Sequence, residues 1–100
     1  MFIKIRSLEK MPYAQAKVRI TDDSTAVLVS YSTEVAYIDA EGWVRVRGLY
    51  SATTRRHISA FAAEYGTSYY KLKRCYTEQL TYNIYTGMFV SLVTGEIVEG

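Results

Sequence analysis

The residues most able to bind an anion lie in one short segment, where two arginines and a histidine follow a run of hydroxyl residues. The segment reads Ser51-Ala52-Thr53-Thr54-Arg55-Arg56-His57. At a helix start, unpaired backbone N–H groups and hydroxyls can bind a phosphate or a carboxylate, and arginine adds charge and paired donors. Cations in a first helical turn cost roughly 0.3–1 kcal/mol each, so their presence here suggests a function. The candidate partner-binding residues are Ser51, Thr54, Arg55, Arg56 and His57.

The same arginines have an internal alternative. Arg55 and Arg56 could pair with carboxylates at nearby strand ends of their own domain, and His57 would then border the apolar stripe of the helix. The carboxylates in question are those of Glu34, Asp39 and Glu41. In that case the segment would have a structural role.

Tyrosine is the unusual residue of the composition, with ten copies against three phenylalanines and one tryptophan. Tyr50 precedes the helix, and Tyr69 and Tyr70 follow it, so these rings would share one side of the molecule if the chain folds back. A large rigid ring with a polar tip suits a contact surface, which adds these three tyrosines to the candidate partner-binding residues. The alternative is that they fill the edge of the helix–sheet interface.

A second candidate surface consists of basic residues that alternate with valine and isoleucine in two expected strands. They are Lys17, Arg19, Arg45 and Arg47. If both strands bury their apolar residues on one side of a sheet, the other face carries four cations, interleaved with Tyr31 or Tyr37. Charge that follows phosphates and rings that stack on bases are typical of nucleic-acid-binding faces. Outward lysine and arginine are equally typical of a solvated sheet.

Catalytic chemistry lacks support in the sequence. Cys75 and His57 are the single cysteine and histidine, and no spacing joins either to a nucleophile, a base and an orienting carboxylate. Cys75 is expected to be a small buried hydrophobe. No phosphate-binding glycine loop or metal-binding motif is present, so we expect no enzyme, no cofactor and no metal site.

The pattern of apolar residues predicts an α+β domain over residues 1–100, with an antiparallel meander of four or more strands packed against one main helix and a short second helix. Period-two alternation and turn residues indicate strands at 16–21, 26–31, 33–39 and 43–47, and further β segments with two Thr-Gly turns after residue 80. Short connections favour pairing of consecutive strands.

The main helix is indicated by the spacing of its apolar residues, with Ser51 or Thr53 as its cap and Gly66 as its end. The spacing predicts a buried stripe of Thr54, Ile58, Phe61, Ala62 and Tyr65, with Arg56, Ser59, Ala60 and Ala63 on the opposite side. The segment after Gly66 fits a short helix better than a strand. Its basic residues, Lys71, Lys73 and Arg74, are expected on the exposed side.

The net charge of +2 is too small to predict nucleic-acid binding from the field of the whole molecule, and it excludes the acidic class of DNA-mimicking inhibitors. A single cysteine favours a reducing compartment. The sequence has neither the apolar stretch of a signal peptide nor a run long enough to span a membrane. We therefore expect a cytoplasmic protein with no membrane partner.

Three stretches resemble a family of small uncharacterised proteins encoded by bacteriophages and mobile elements of gut bacteria. They are Tyr31 to Asp39, the G-x-Y-S-x-T-T-x-x-H-I pattern at Gly48 to Ile58, and the N-I-x-T-G turn at Asn83 to Gly87. The resemblance covers roughly residues 15 to 87, and residues 88 to 100 depart from it. It implies an accessory protein in the cytoplasm of a bacterial host, without an agreed activity.

Two hypotheses follow from the residues and this context. The first is a non-enzymatic protein that binds a host protein, such as an anti-CRISPR-like inhibitor of a defence nuclease, through the tyrosine-rich surface around the main helix. The alternative is a nucleic-acid-binding accessory protein that uses the basic sheet face. The oligomeric state is not indicated by the sequence.

Overall fold

A computed structural model describes the backbone of residues 2–99 and the side chains of residues 4–98. Within that range, eight antiparallel strands pair in sequence order in one sheet, and two helices are inserted between the fifth and sixth strands. The strands are β1 Phe2–Ser7, β2 Ala16–Thr21, β3 Ala26–Ser30, β4 Thr33–Ile38, β5 Trp43–Val46, β6 Leu80–Asn83, β7 Phe89–Ser91 and β8 Ile97–Glu99. The helices are α1 Ala52–Glu64 and α2 Tyr69–Thr77. The predicted α+β meander with a main and a short second helix is confirmed.

Short-range hydrogen bonds explain why the strands turn where they do. Between β4 and β5, the Asp39 carboxylate accepts the N–H groups of Glu41 and Trp43, each at 3.0 Å. Gly42 in the same turn has a φ of +92°, which residues with a Cβ rarely adopt. The turn chemistry read from the sequence therefore sets the hairpin that places Trp43 and Arg45 at the start of β5.

Helix α1 has well-formed caps at both ends. The Ser51 hydroxyl accepts the N–H of Thr54 at 3.2 Å. At the other end Gly66 has a φ of +72°, and the N–H of Thr67 bonds back to the carbonyl of Ala62 at 3.0 Å. This is the Schellman arrangement that a glycine after a helix favours, and it confirms both predicted ends.

The core lies between the helices and one face of the sheet. Its fully buried side chains come from β2, β3, β4, β5 and both helices, and include Val18, Leu28, Val35, Val44, Ile58, Phe61 and Leu72. The alternation of β2 and β5 turns Val18 and Val44 towards this core and leaves Lys17 and Arg45 on the other face. The sheet thus presents one buried and one open face.

Two predictions about the sides of α1 are wrong. Ala60 is buried, although its spacing placed it opposite the apolar stripe, because the β1–β2 loop with Lys10 and Met11 approaches that side. His57 is also buried, neither exposed to a partner as predicted nor at the border of the stripe as in the alternative, because Ser30 supplies a hydrogen-bond partner inside.

Helix α2 buries Leu72 and Cys75, which confirms the expectation that Cys75 is a small buried hydrophobe. Of the basic residues of α2, Lys71 and Lys73 are exposed, as expected, whereas Arg74 is half-buried. The Lys71 ammonium lies 3.1 Å from the Tyr82 hydroxyl, and the Arg74 guanidinium lies over the Phe89 ring at 4.5 Å. In the part of the chain that is described, no helix combines the length and apolar character required to span a membrane.

Candidate functional site

A groove between α1 and α2 brings together several of the predicted site residues. Its volume is about 450 Å³, and it is lined by Arg55, Arg56, Ser59, Tyr69, Tyr70 and Lys73. We call this the interhelical groove. The arginines and Ser59 come from the first two turns of α1, and the tyrosines and Lys73 from the first two turns of α2. The fold-back of the second helix that the tyrosine hypothesis required is therefore present.

The cations of the interhelical groove have no acidic partner. Among the residues with described side chains, Arg55, Arg56 and Lys73 form neither an ion pair nor a side-chain hydrogen bond. Two of the three carboxylates expected to neutralise the arginines are engaged elsewhere: Glu34 pairs with Arg47 at 3.4 Å, and Asp39 binds its own turn. The third, Glu41, lines a different hollow. The lining contains no carboxylate. The groove is thus positively charged and open to solvent.

Two aromatic rings flank these charges. Tyr69 and Tyr70 meet edge to face with their centroids 5.8 Å apart, and Tyr70 is 79% exposed. Such an exposed ring can be covered by a partner at little entropic cost, because a tyrosine side chain has few rotatable bonds. Rings and arginines together are the side chains that contribute most to binding at protein interfaces.

A chain of hydrogen-bonded polar side chains leads from Ser51 at the start of α1 into the core. The Ser51 hydroxyl is 3.2 Å from the Thr54 hydroxyl, which is 3.3 Å from that of Ser30. The Ser30 hydroxyl is 2.8 Å from Nδ1 of His57. Thr54 and His57 are only 4% and 1% exposed. Thr54 and His57 were predicted to bind a partner, but their burial leaves them inaccessible, and they can only position the helix start, whereas Ser51 is exposed.

Burial also determines the charge state of His57. Removal from water lowers the pKa of His57, so that the neutral ring is favoured at physiological pH. The Ser30–His57 pair resembles the nucleophile and base of a hydrolase. However, both residues are buried, and no described carboxylate bonds to the histidine. The arrangement is a satisfied hydrogen-bond network that joins β3 to α1.

The remaining nucleophile is equally unsuited to reaction. Cys75 is buried in the core, and burial raises the pKa of its thiol to about 12. The thiolate is the reactive form, and it is scarce at neutral pH when the pKa is this high. Among the described side chains, no group of three or more His, Cys, Asp or Glu residues could hold a metal ion.

Tyr50 lies apart from the interhelical groove. Its ring covers Gly48, where a Cβ would collide with it, and its backbone has a φ of +37°. It lines a separate hollow together with Ser32, Thr33, Glu34 and Arg47. The structure therefore brings Arg55, Arg56, Tyr69 and Tyr70 together and leaves Tyr50 on a neighbouring surface.

The open sheet face carries the second predicted surface. Register pairs Arg19 with Val27, Val27 with Tyr37 and Tyr37 with Arg45, so these side chains form a row across four strands. Lys17 lies on the same face, with its ammonium 3.1 Å from the Ser7 hydroxyl. Arg47 pairs with Glu34. The basic residues share one face, with Tyr37 between them, as the alternation indicated.

Sequence reasoning missed several residues of both surfaces. Lys73 and Ser59 belong to the interhelical groove, and their spacing of four from Tyr69 and Arg55 could have shown it. On the sheet face, a hollow of about 440 Å³ is lined by Tyr37, Asp39, Trp43, Arg45, Thr81, Val90 and Leu92. Thr81 and Val90 come from β6 and β7 and Leu92 from the turn after β7, a part of the chain that joins this face through the long-range pairing of β6 with β5.

Comparison with known proteins gives a family but no function. No curated protein and no solved structure matches the chain. A family model matches residues 4–79, a range that extends from within β1 to beyond the end of α2 and contains all residues of the interhelical groove. On this match, the chain belongs to a family of unknown function, DUF8033.

Proposed function

We propose that this chain is a non-enzymatic accessory protein of a phage or mobile element, and that it binds a protein of its bacterial host through the interhelical groove. The observation that carries the proposal is the set of three cations, Arg55, Arg56 and Lys73, that converge on one groove without a carboxylate. Such a set is expected to attract an acidic segment of a partner, since complementary charge speeds encounter and fixes orientation.

The placement of the arginines supports binding over a structural role. In the first turns of α1, Arg55 and Arg56 oppose the partial positive charge of the helix start, and no described acidic group compensates them. Both side chains are exposed, and a pair that opposes the helix field without an acidic partner has no evident structural use. Tyr69 and Tyr70 add contact area beside the charges, as at interface hot spots.

The non-enzymatic part of the proposal is supported by the state of the nucleophiles. The Ser30 and His57 side chains are closed off from solvent, and Cys75 has a raised thiol pKa. Inhibition of a defence nuclease is a role that fits a small protein of this kind, because an acidic segment of such an enzyme could be bound by the groove.

The test is affinity capture from nuclease-treated bacterial lysate with three forms of the protein. Wild type and Arg45→Ala, which removes an exposed arginine from the sheet face, should capture the same partner. The double variant Arg55→Ala and Arg56→Ala should weaken capture at least about tenfold, since truncation of a central interface arginine typically costs 1–2 kcal/mol or more. The double variant should unfold at the same or a slightly higher denaturant concentration, because two unfavourable helix–charge interactions are removed.

Unchanged capture by the double variant would remove the groove from the proposal. Equal loss with Arg45→Ala would indicate general attraction by charge. A captured partner that is a nuclease should lose activity when the purified chain is added, and retained activity would exclude the inhibitor role.

A further inference from the structure

We propose that the open sheet face holds a binding site for single-stranded nucleic acid, centred on Tyr37, Trp43 and Arg45. The site lies on the face opposite the helices and shares no lining residue with the interhelical groove. The proposal therefore does not depend on the proposed function.

The aromatic part of the site consists of two rings that line the same hollow. Tyr37 is in β4 and Trp43 begins β5, and both belong to the side of the sheet that carries Arg45. Each ring is neither fully buried nor fully exposed, so an edge or a face remains accessible. Unpaired bases stack on such rings with little regard to sequence, because every base has a π-face.

The walls of the hollow suit a flat, partly apolar ligand. Val90 and Leu92 from the β7 region provide apolar contact, and Thr81 adds a hydroxyl that is already bonded to the carbonyl of Val44 at 2.8 Å. A base that enters the hollow would replace water on apolar surface, which is favourable. A duplex presents its bases stacked and paired, so its bases could not enter in this way.

Charge complementarity favours a polyanion over a neutral aromatic ligand. The face carries Lys17, Arg19, Arg45 and Arg47. Glu34 lines a hollow together with Arg47, and Asp39 lines one together with Arg45. Glu34 pairs with Arg47, and Asp39 is directed to the N–H groups of its own turn. Arg45 lies beside the rings, at the end of the row that runs from Arg19 through Tyr37. Phosphates that follow the stacked bases would pass along this row.

The structure also separates two chemically identical residues of one segment. Arg45 lines the hollow, whereas Arg47 lies two residues further along and forms an ion pair with Glu34. A specific site predicts a large effect of Arg45→Ala and a small effect of Arg47→Ala. General attraction by a basic face predicts equal effects.

Binding at this site can be followed by tryptophan fluorescence, because Trp43 is the single tryptophan of the chain. The experiment titrates the protein with oligothymidine and oligouridine of about ten nucleotides, a length within the usual site sizes. We expect saturable quenching of tryptophan fluorescence by one or both oligomers. With two phosphates neutralised, affinity should fall about sevenfold between about 50 and 200 mM salt. The duplex of the same length should give little quenching.

The variants are measured by anisotropy of a labelled oligonucleotide. Tyr37→Leu should weaken binding about tenfold or more, and Tyr37→Phe should retain it, because stacking needs the ring and not the hydroxyl. Arg45→Ala should weaken binding several-fold more than Arg47→Ala, and the double variant Arg55→Ala and Arg56→Ala should bind as wild type. Circular dichroism checks that each variant is folded.

Several results would overturn the proposal. They are the absence of quenching at low salt, equal binding of duplex, equal loss from Arg45→Ala and Arg47→Ala, and loss of binding in the double variant of the interhelical groove.

Discussion

His57 is the residue whose environment differs most from what its neighbours in the sequence suggest. Its ring is buried against β3, with Nδ1 at 2.8 Å from the Ser30 hydroxyl. The ring centroids of His57 and Tyr31 are 6.0 Å apart. Burial lowers the pKa of His57, which means that the folded state binds its proton less readily than the unfolded chain. A neutral histidine at this position is therefore part of the folded structure.

This difference predicts a loss of stability in mild acid. The contribution of neutral His57 is fully present above the unfolded pKa of about 6.5, and it is lost as the pH falls from there towards the lower folded pKa. Denaturant unfolding of wild type should show a midpoint that decreases between pH 7.5 and 5.5, with a slope of at most one proton. His57→Gln, which cannot titrate, should be less stable at neutral pH and flat over this window. An equal slope in both proteins would contradict the prediction.

The role of His57 was not readable from the sequence because its partner is distant along the chain. Ser30 precedes it by 27 positions, at the end of β3. Local spacing could show that Thr54 belongs to the buried stripe of α1 and that Arg55 and Arg56 do not. It could not show that a polar ring would find a hydroxyl inside the core.

At the scale of elements, the entry to α1 is the part most clearly specified by local chemistry. Ser51 has the extended backbone of an N-cap, and its hydroxyl accepts the N–H of Thr54. Its side chain also donates to the Thr54 hydroxyl, the first link of the hydrogen-bonded chain that leads into the core. The cap thus couples the start of the helix to the strand behind it.

Ser51→Ala should lower the free energy of unfolding by about 1 kcal/mol, the usual cost of losing a serine cap. Ser59→Ala is the matched control, because Ser59 lies exposed within the same helix and alanine is the better helix former there. Equilibrium denaturation should show the cap variant to be clearly less stable and the control to be unchanged or slightly more stable. Equal effects would mean that the cap hydrogen bond contributes little.

The strands and turns were largely predictable because their signals are local. Alternation in 16–21 and 43–47 identifies two strands, and the Asp39 to Gly42 segment has the residues of a tight turn. The basic residues of α2 show the limit of such reasoning. Lys71 and Arg74 lie over the rings of Tyr82 and Phe89, which belong to strands that come later in the chain. Helical spacing alone cannot indicate that contact.

At the scale of the whole molecule, the two candidate surfaces lie on opposite sides of one sheet. The interhelical groove faces away from the sheet, and the basic face is the side that the helices leave open. Sequence reasoning found both surfaces from residue types, but it joined Tyr50 to the groove, from which the structure separates it. To place Tyr50 correctly, one must know the direction of the chain at Gly48. That direction depends on the packing of the Tyr50 ring over Gly48, which the sequence does not show.

The family match ends at residue 79, yet the sheet continues beyond it through three more strands of the described chain. Phe89 in β7 shows how this later part contributes to the core. It is only 3% exposed, its ring centroid lies 4.7 Å from that of Tyr82, and the Arg74 guanidinium covers it from α2. The later strands therefore pack against α2, which lies within the matched range.

Phe89→Ala should then destabilise the whole molecule and not only its last hairpin. Truncation of a buried phenylalanine typically costs about 3 kcal/mol or more, because it removes apolar contact and leaves a cavity. Val93→Ala is the control, because Val93 lies in the turn after β7 and is 74% exposed. This substitution should change the free energy of unfolding by less than about 0.5 kcal/mol.

Unfolding is followed by far-ultraviolet circular dichroism and by Trp43 fluorescence. If the helices and Trp43 unfold together at a lower denaturant concentration in Phe89→Ala, β7 is part of the same cooperative unit as α2. If the helical signal keeps its wild-type midpoint, the last strands are an appendage, and the hollow that Val90 and Leu92 help to form would not depend on the stability of the core.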